Sequence, residues 1–132
     1  MKKYLLILSA FALLGCVQKN VAKGDIMVLE DKEYKITKVL DKANNKEYKA
    51  SGDWSIVIDK DKFGMFVGCN RIFGKLSQTN GKIIYINPAS TKMLCLDDMM
   101  AVEDLISQNL TIMEVVKNGL ENNNVKIFFK QD

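Results

Sequence analysis

The stretch GCNRIFG, residues 68–74, sets a cysteine and an asparagine after one glycine and ends on a second glycine. Gly68 and Gly74 allow a positive φ or a close approach of two backbones. Asn70 bonds readily to nearby backbone groups and tolerates a left-handed conformation. We therefore predict that this stretch forms a structural corner between two segments of a β protein.

The other side chains of the corner divide between core and surface. Cys69 and either Ile72 or Phe73 are expected to point inward. Arg71 is the one arginine in the chain, and its planar guanidinium could recognise a carboxylate or stack on an aromatic ring. The alternative for Arg71 is a side chain that simply faces solvent beside the bend.

Short runs rich in Val, Ile, Tyr and Phe surround the corner and alternate with turn signals, a pattern typical of antiparallel sheets. The dipeptide Asn80-Gly81 suits a tight hairpin turn that needs positive φ at both central residues. The predicted strands are residues 34–40, 54–58, 63–67, 83–86, 111–116 and 125–129.

One helix is predicted, over residues 97–110. Asp97 or Asp98 is expected to cap its first turn. An apolar stripe recurs at 3- and 4-residue spacing and consists of Met99, Val102, Ile106 and Leu110, joined by Leu105 and Met113. Glu103 and Asp104 are expected on the solvated side. The predicted fold is α+β, with a mainly antiparallel, strongly curved β-sheet, a partial barrel, packed with this amphipathic helix.

The N-terminus MKKYLLILSAFALLGC has a basic start, then an apolar run shorter than the roughly 20 residues of a transmembrane helix. Its end, LLGC, resembles a lipobox, which predicts a signal peptide over residues 1–15 and lipidation of Cys16. Residues 16–25 then form the lipidated cysteine and a polar tether, and residues 26–132 form one domain. Two acyl chains make such anchoring stable. Val17 stands where an Asp favours inner-membrane retention, so we expect a periplasm-facing anchor, in the outer membrane more than the inner.

The charge composition limits the classes of partner that this protein is expected to bind. The formal net charge is +3, and loss of Lys2 and Lys3 with the signal peptide lowers it to about +1. A nucleic-acid-binding surface needs clustered Lys and Arg, so no nucleic-acid partner is expected. We expect a monomer that meets the membrane through the lipid anchor on Cys16.

Once Cys16 carries lipid, Cys69 and Cys95 remain in a compartment that permits disulfides. Two interpretations stand. A bridge would close a loop of about 26 residues and stabilise the domain by roughly 3–4 kcal/mol. Alternatively, both cysteines are free and buried as small apolar side chains.

The residue types that carry most enzyme chemistry are missing or poorly placed. The chain has no histidine, which removes the commonest general base and leaves a zinc site short of ligands. The neighbouring carboxylates Asp97 with Asp98 and Glu103 with Asp104 point in different directions on a helix. We predict no catalytic residues, no metal and no cofactor.

The segments FVGCNRIFGKL and ASTKMLCLDDMMAVEDL, residues 66–76 and 89–105, resemble the signature of the META/HslJ family of small, heat-shock-associated bacterial envelope proteins. The motif residues here are Gly68, Cys69, Asn70, Phe73, Gly74, Thr91, Met93 and Cys95, followed by Met100, Glu103 and Leu110. Tyr34 departs from the tryptophan that members usually carry.

Two functions remain open. The resemblance implies a non-enzymatic lipoprotein that acts in stress tolerance or envelope maintenance through protein interaction, with an envelope protein as its partner. The alternative is an apolar-ligand-binding or secretion-pilot-like lipoprotein, because a sheet curled around a helix can leave a cavity. The methionines Met93, Met99, Met100 and Met113 could line such a groove, although core packing is the expectation for them.

Overall fold

The computed structural model of the protein describes residues 26–131, which form nine β-strands and one helix. The predicted signal peptide, the lipidated Cys16 and the whole predicted tether lie outside this range. The strands are β1 (Glu33–Asp41), β2 (Lys46–Lys49), β3 (Ser55–Asp59), β4 (Lys62–Phe66), β5 (Arg71–Thr79), β6 (Lys82–Ser90), β7 (Ile112–Val116), β8 (Gly119–Glu121) and β9 (Val125–Phe129). The helix, α1 (Asp97–Asn109), connects β6 to β7. No helix within residues 26–131 is both long and apolar enough to cross a bilayer.

The sheet is a closed barrel, so the predicted partial barrel is wrong. Eight strands, β1 and β3 to β9, follow one another around the ring, and β9 pairs back with β1. The short β2 lies outside the ring and pairs only with the second half of β1. Closure satisfies the backbone groups that β1 and β9 would otherwise expose as free edges. The α+β class and the antiparallel pairing are confirmed.

Strand β1 has two neighbours on one edge and a bulge in its pairing on the other. Residues before the bulge pair with β3, and residues after it pair with β2. On its other edge, the register with β9 shifts between Ile36 and Lys38. Ile36 and Val39 are therefore both buried although they are three residues apart. This shift explains why strict alternation from Tyr34 predicted the inward face of β1 only as far as Ile36.

Alternate side chains of the strands fill the barrel interior. Ile56, Ile58, Met65, Ile72, Ile83, Met113, Leu120 and Ile127 are all nearly inaccessible to solvent. Phe63 and Tyr85 also lie inside, with an edge-to-face contact at 4.8 Å between ring centroids. These two aromatic side chains supply the large buried area that a small barrel core needs.

Each end of the barrel is covered by a different part of the chain. Helix α1 lies across one end, buries Val102 and Ile106, and accepts at the Asn109 carbonyl a hydrogen bond from the Asn122 side chain. The segment before β1 covers the other end. There the backbone N–H and carbonyl of Leu29 both bond to the Gln78 side chain, at 2.8 and 3.0 Å. The chain therefore enters the domain at the end opposite to the helix.

Candidate functional site

The predicted corner and the segment that precedes the helix meet at the helix end of the barrel. Gly68 has a φ of 120°, a conformation that side chains rarely adopt. A Cβ at Gly74 would lie 3.2 Å from backbone atoms of β6, where two residues, Asn87 and Pro88, bulge opposite it. Both roles predicted for these glycines are confirmed. Ile72 is the buried side chain of the predicted pair, and Phe73 is 46% exposed.

Asn70 is the centre of a hydrogen-bond network that we call the motif clamp, formed with Thr91, Met93 and Glu103. Its Oδ1 accepts from the Thr91 hydroxyl at 2.9 Å and from the Met93 backbone N–H at 2.7 Å. Its Nδ2 donates to the Met93 carbonyl at 3.1 Å and to Glu103 Oε1 at 3.0 Å. Its own backbone N–H donates to Glu103 Oε2 at 2.6 Å. One buried side chain thereby joins the corner, residues 91–96 and the helix.

Glu103 is buried, which corrects its predicted position on the solvated side of the helix. Both carboxylate oxygens accept N–H groups of Asn70, and such charge-assisted bonds compensate for burial of the charge. A partial signal was present in the sequence, because Glu103 stands three residues from both Met100 and Ile106. Spacing alone favoured Val102 for the inward face.

The helix start also differs from the prediction. The N-cap residue is Leu96, which offers no side-chain hydrogen bond, and Asp97 and Asp98 occupy the first turn instead. In the first turn their negative charges interact favourably with the positive end of the helix dipole, and they do not serve as the cap. The segment before the helix is instead held by a covalent link and by the motif clamp.

Cys69 and Cys95 are bonded to each other in the structure, with their Cα atoms 6.2 Å apart. This separation lies within the usual range for disulfides. The sulfur atoms and a carboxylate oxygen of Glu103 lie within 4.8 Å of one another. Metal ligation needs thiolates, so these atoms form a ligand set only after reduction of the bond.

Residues 91–96, which we call the clamp loop, present apolar side chains to solvent. Leu94 is 92% exposed, Leu96 is 72% exposed and Met93 is 58% exposed. The core position expected for Met93 is therefore wrong, whereas Met113 is fully buried as expected. Nothing in the sequence pattern distinguished these side chains from core residues, because apolar residues stand both before and after Asp97 and Asp98.

A cleft of about 520 Å³ lies between the clamp loop, the end of β6 and the helix. Asn70, Thr91 and Met93 line one side of it, and Met100 and Ser107 line the helix side. The motif residues therefore build both the fixed base of the loop and one wall of a surface cleft.

The carboxylates with shifted pKa lie away from the motif clamp. A hydrogen bond from the Asn44 side chain lowers the pKa of Asp41 at the β1–β2 turn. A hydrogen bond from Lys42 lowers the pKa of Glu121. Burial raises the pKa of Tyr85 inside the barrel, so its hydroxyl stays neutral. Ordinary structural contacts and burial account for each shift.

The sequence that carries these motif residues matches a known domain. A family model for the META domain matches residues 27–127. The chain belongs to the META domain family. In this META domain the matched region contains β1 to β8, the first three residues of β9, the helix and the whole motif clamp.

This META domain is similar in fold to a protein of known structure. The NMR structure of a protein from Burkholderia xenovorans is similar with a TM-score of 0.61 and 15% identity, covering 79% of this chain and 85% of that one. At this identity the likeness concerns the fold alone. No curated protein matches the chain.

Proposed function

We propose that this META-domain protein is a non-enzymatic lipoprotein of the cell envelope that binds another envelope protein through its clamp loop. Its role would be in stress tolerance or envelope maintenance, as the META/HslJ resemblance implies. The observation that carries the proposal is the exposure of Leu94 and Leu96 on a loop that the motif holds in place. The motif side chains are engaged with one another, which supports a structural use for them rather than a catalytic one.

Exposed leucines on a fastened loop favour binding. Burial of one leucine side chain contributes about 1.5–3 kcal/mol, and clustered apolar residues on a soluble surface are typical of interaction sites. The disulfide and the bonds from Asn70 to Met93 fix the loop before any partner arrives. A pre-ordered loop loses less conformational entropy on binding.

The position of the N-terminal segment favours a protein partner over the bilayer. Met27 lies beside Gly81, at the β5–β6 turn, whereas the clamp loop lies at the other end of β5 and β6. Nine residues of strand span about 27 Å. A tether that leaves from the far end would place the clamp loop away from the membrane, facing the periplasm.

We expect Cys16→Ser to release the protein from membranes without unfolding it. The serine hydroxyl cannot take the thioether-linked lipid, and the exported domain keeps residues 26–131 intact. Cell fractionation followed by thermal melting of the released protein measures both effects. Continued membrane association of the serine variant would contradict the anchor.

We expect Leu94→Ser combined with Leu96→Ser to abolish binding of one dominant envelope partner. A photoreactive residue at Lys92 captures that partner in intact cells, and the same residue at Ser77, on the outer face of β5, is the matched control. Because both leucines are exposed, the double variant should melt within about 2 °C of the parent. An unchanged adduct in the double variant, or the same adduct from position 77, would contradict the docking role.

The filled barrel argues for protein binding over the apolar-carrier alternative. Interior side chains such as Ile56, Ile83 and Leu120 have almost no accessible surface. Native mass spectrometry of residues 17–132, exported to a periplasm, should give an unliganded monomer. A retained adduct of lipid mass would favour the carrier.

A further inference from the structure

A glycine in the middle of β4 has no structural explanation. Gly64 is outside the set of glycines with positive φ, and a Cβ built on it meets no atom within 4 Å. Glycine weakens a strand interior because it loses more backbone entropy on folding than other residues and has no side chain to pack. The barrel would therefore accept a larger residue here, and its absence leaves an opening on the outer surface.

The neighbours of Gly64 make this opening apolar. Its cross-strand partners are Val57 on β3 and Phe73 on β5, and these side chains are 42% and 46% exposed. Two strand spacings separate them, about 9.6 Å, a width that admits one aliphatic or aromatic side chain. We call this opening the Gly64 notch. Gly64 and Val57 line a surface groove of about 310 Å³ that follows β3 and β4, and Phe73 borders the notch on the side away from this groove.

Charged residues mark both ends of this groove. Arg71 lies at the end nearer the clamp loop, with its guanidinium 5.9 Å from the centroid of the Phe66 ring. Across residues 26–131 no carboxylate forms an ion pair with Arg71. At the other end Asp59 and Lys62 occupy opposite positions of the β3–β4 hairpin, and their charges of opposite sign sum to zero. The uncompensated charge of the groove is therefore the positive charge of Arg71.

We propose that the Gly64 notch binds a protein segment that carries an apolar side chain next to a carboxylate. The apolar side chain fills the space above Gly64, between Val57 and Phe73. The carboxylate then reaches Arg71, which stands two residues further along the strand pair, about 7 Å away. A guanidinium stacked on an aromatic ring is well oriented for a carboxylate. The inference rests on the proposed function only in taking the partner to be a protein.

Two capped dipeptides that differ in one charge test this notch. We expect acetyl-Phe-Asp-amide to bind with a Kd in the millimolar range and to shift the backbone NMR signals of Gly64, Phe66 and Arg71. Acetyl-Phe-Asn-amide should bind about two- to fivefold more weakly, as an exposed ion pair allows. Arg71→Gln should remove this difference between the two peptides while leaving the melting temperature unchanged.

Gly64→Val fills the notch and is the decisive variant. We expect it to weaken acetyl-Phe-Asp-amide binding about tenfold or more and to raise the melting temperature, because valine favours a strand. Ser77→Val makes a similar exposed change on β5 outside the groove and should leave binding unaltered. Peptide shifts that persist in Gly64→Val, or no shifts in the parent at saturating peptide, would overturn the proposal. Photocrosslinking from Lys92 reports on the clamp loop separately, so failure of either site is recognisable.

Discussion

Asn70→Ala is expected to lower the free energy of unfolding by about 3–5 kcal/mol, because the variant removes four hydrogen bonds of a buried side chain and one of the two donors to the buried Glu103 carboxylate. The side chain of Asn70 makes four of the hydrogen bonds that join the corner, the clamp loop and the helix. Its loss would leave Glu103 Oε1 without a donor and would free the Met93 amide. Urea denaturation followed by the fluorescence of Trp54, the one tryptophan in the chain, measures the change.

A second variant, Glu103→Gln, shows how much of this loss in stability comes from the charge of Glu103 and how much from the lost contacts of Asn70. In a Glu103→Gln background the same Asn70→Ala change should cost clearly less, because no buried carboxylate then loses one of its two donors. Asn123→Ala, at an exposed turn position, is the matched asparagine control and should stay within about 0.5 kcal/mol of the parent. Equal losses for Asn70→Ala in both backgrounds would contradict a role for the Glu103 charge.

Cys95→Ser is expected to lower the melting temperature by more than about 10 °C, but only under oxidising conditions. The bond to Cys69 closes a loop with a sequence separation of 26 residues, which in the chain-entropy model corresponds to about 3–4 kcal/mol. For a domain of this size each kcal/mol shifts the melting temperature by roughly 4 °C or more. With reductant present, parent and variant should melt alike.

Mass spectrometry provides the control for the disulfide. The exported domain purified without reductant should weigh about two hydrogens less than its reduced form. An equal loss of stability on Cys95→Ser under reduction would instead point to packing of the cysteine side chain. No loss in either condition would contradict the covalent link between the corner and the clamp loop.

Local features of the fold were accessible from the sequence because they depend on short-range rules. Asn80 and Gly81 adopt φ values of 52° and 79°, as the predicted hairpin turn requires. The helix spans Asp97–Asn109, one residue short of the prediction, because its apolar spacing is set by helix geometry. Closure of the barrel was not accessible, since it depends on pairing of β1 with β9 across almost the whole domain.

The candidate site was only partly predictable. The conformational preferences of Gly68, Gly74 and Asn70 predicted a corner. Their partner Glu103 was missed, because a buried carboxylate follows no hydrophobic pattern and depends on donors from another segment. The exposure of Leu94 could not be predicted either. An exposed leucine cannot be told from a buried one by hydrophobic periodicity, because both count as apolar positions. Strands β2, β5 and β8 were not among the predicted strands. The short β2 and β8 have no sustained apolar alternation, and the first four residues of β5 belong to the stretch that was predicted to form the corner.

Hydrogen exchange at the Met93 amide tests most directly whether the motif holds the clamp loop. This N–H donates to Asn70 Oδ1 at 2.7 Å although the residue itself is 58% exposed. We predict that its exchange is slowed at least about a hundredfold relative to the unfolded chain, and that Asn70→Ala removes most of this protection. Exchange at the unfolded-chain rate in the parent protein would contradict the motif clamp.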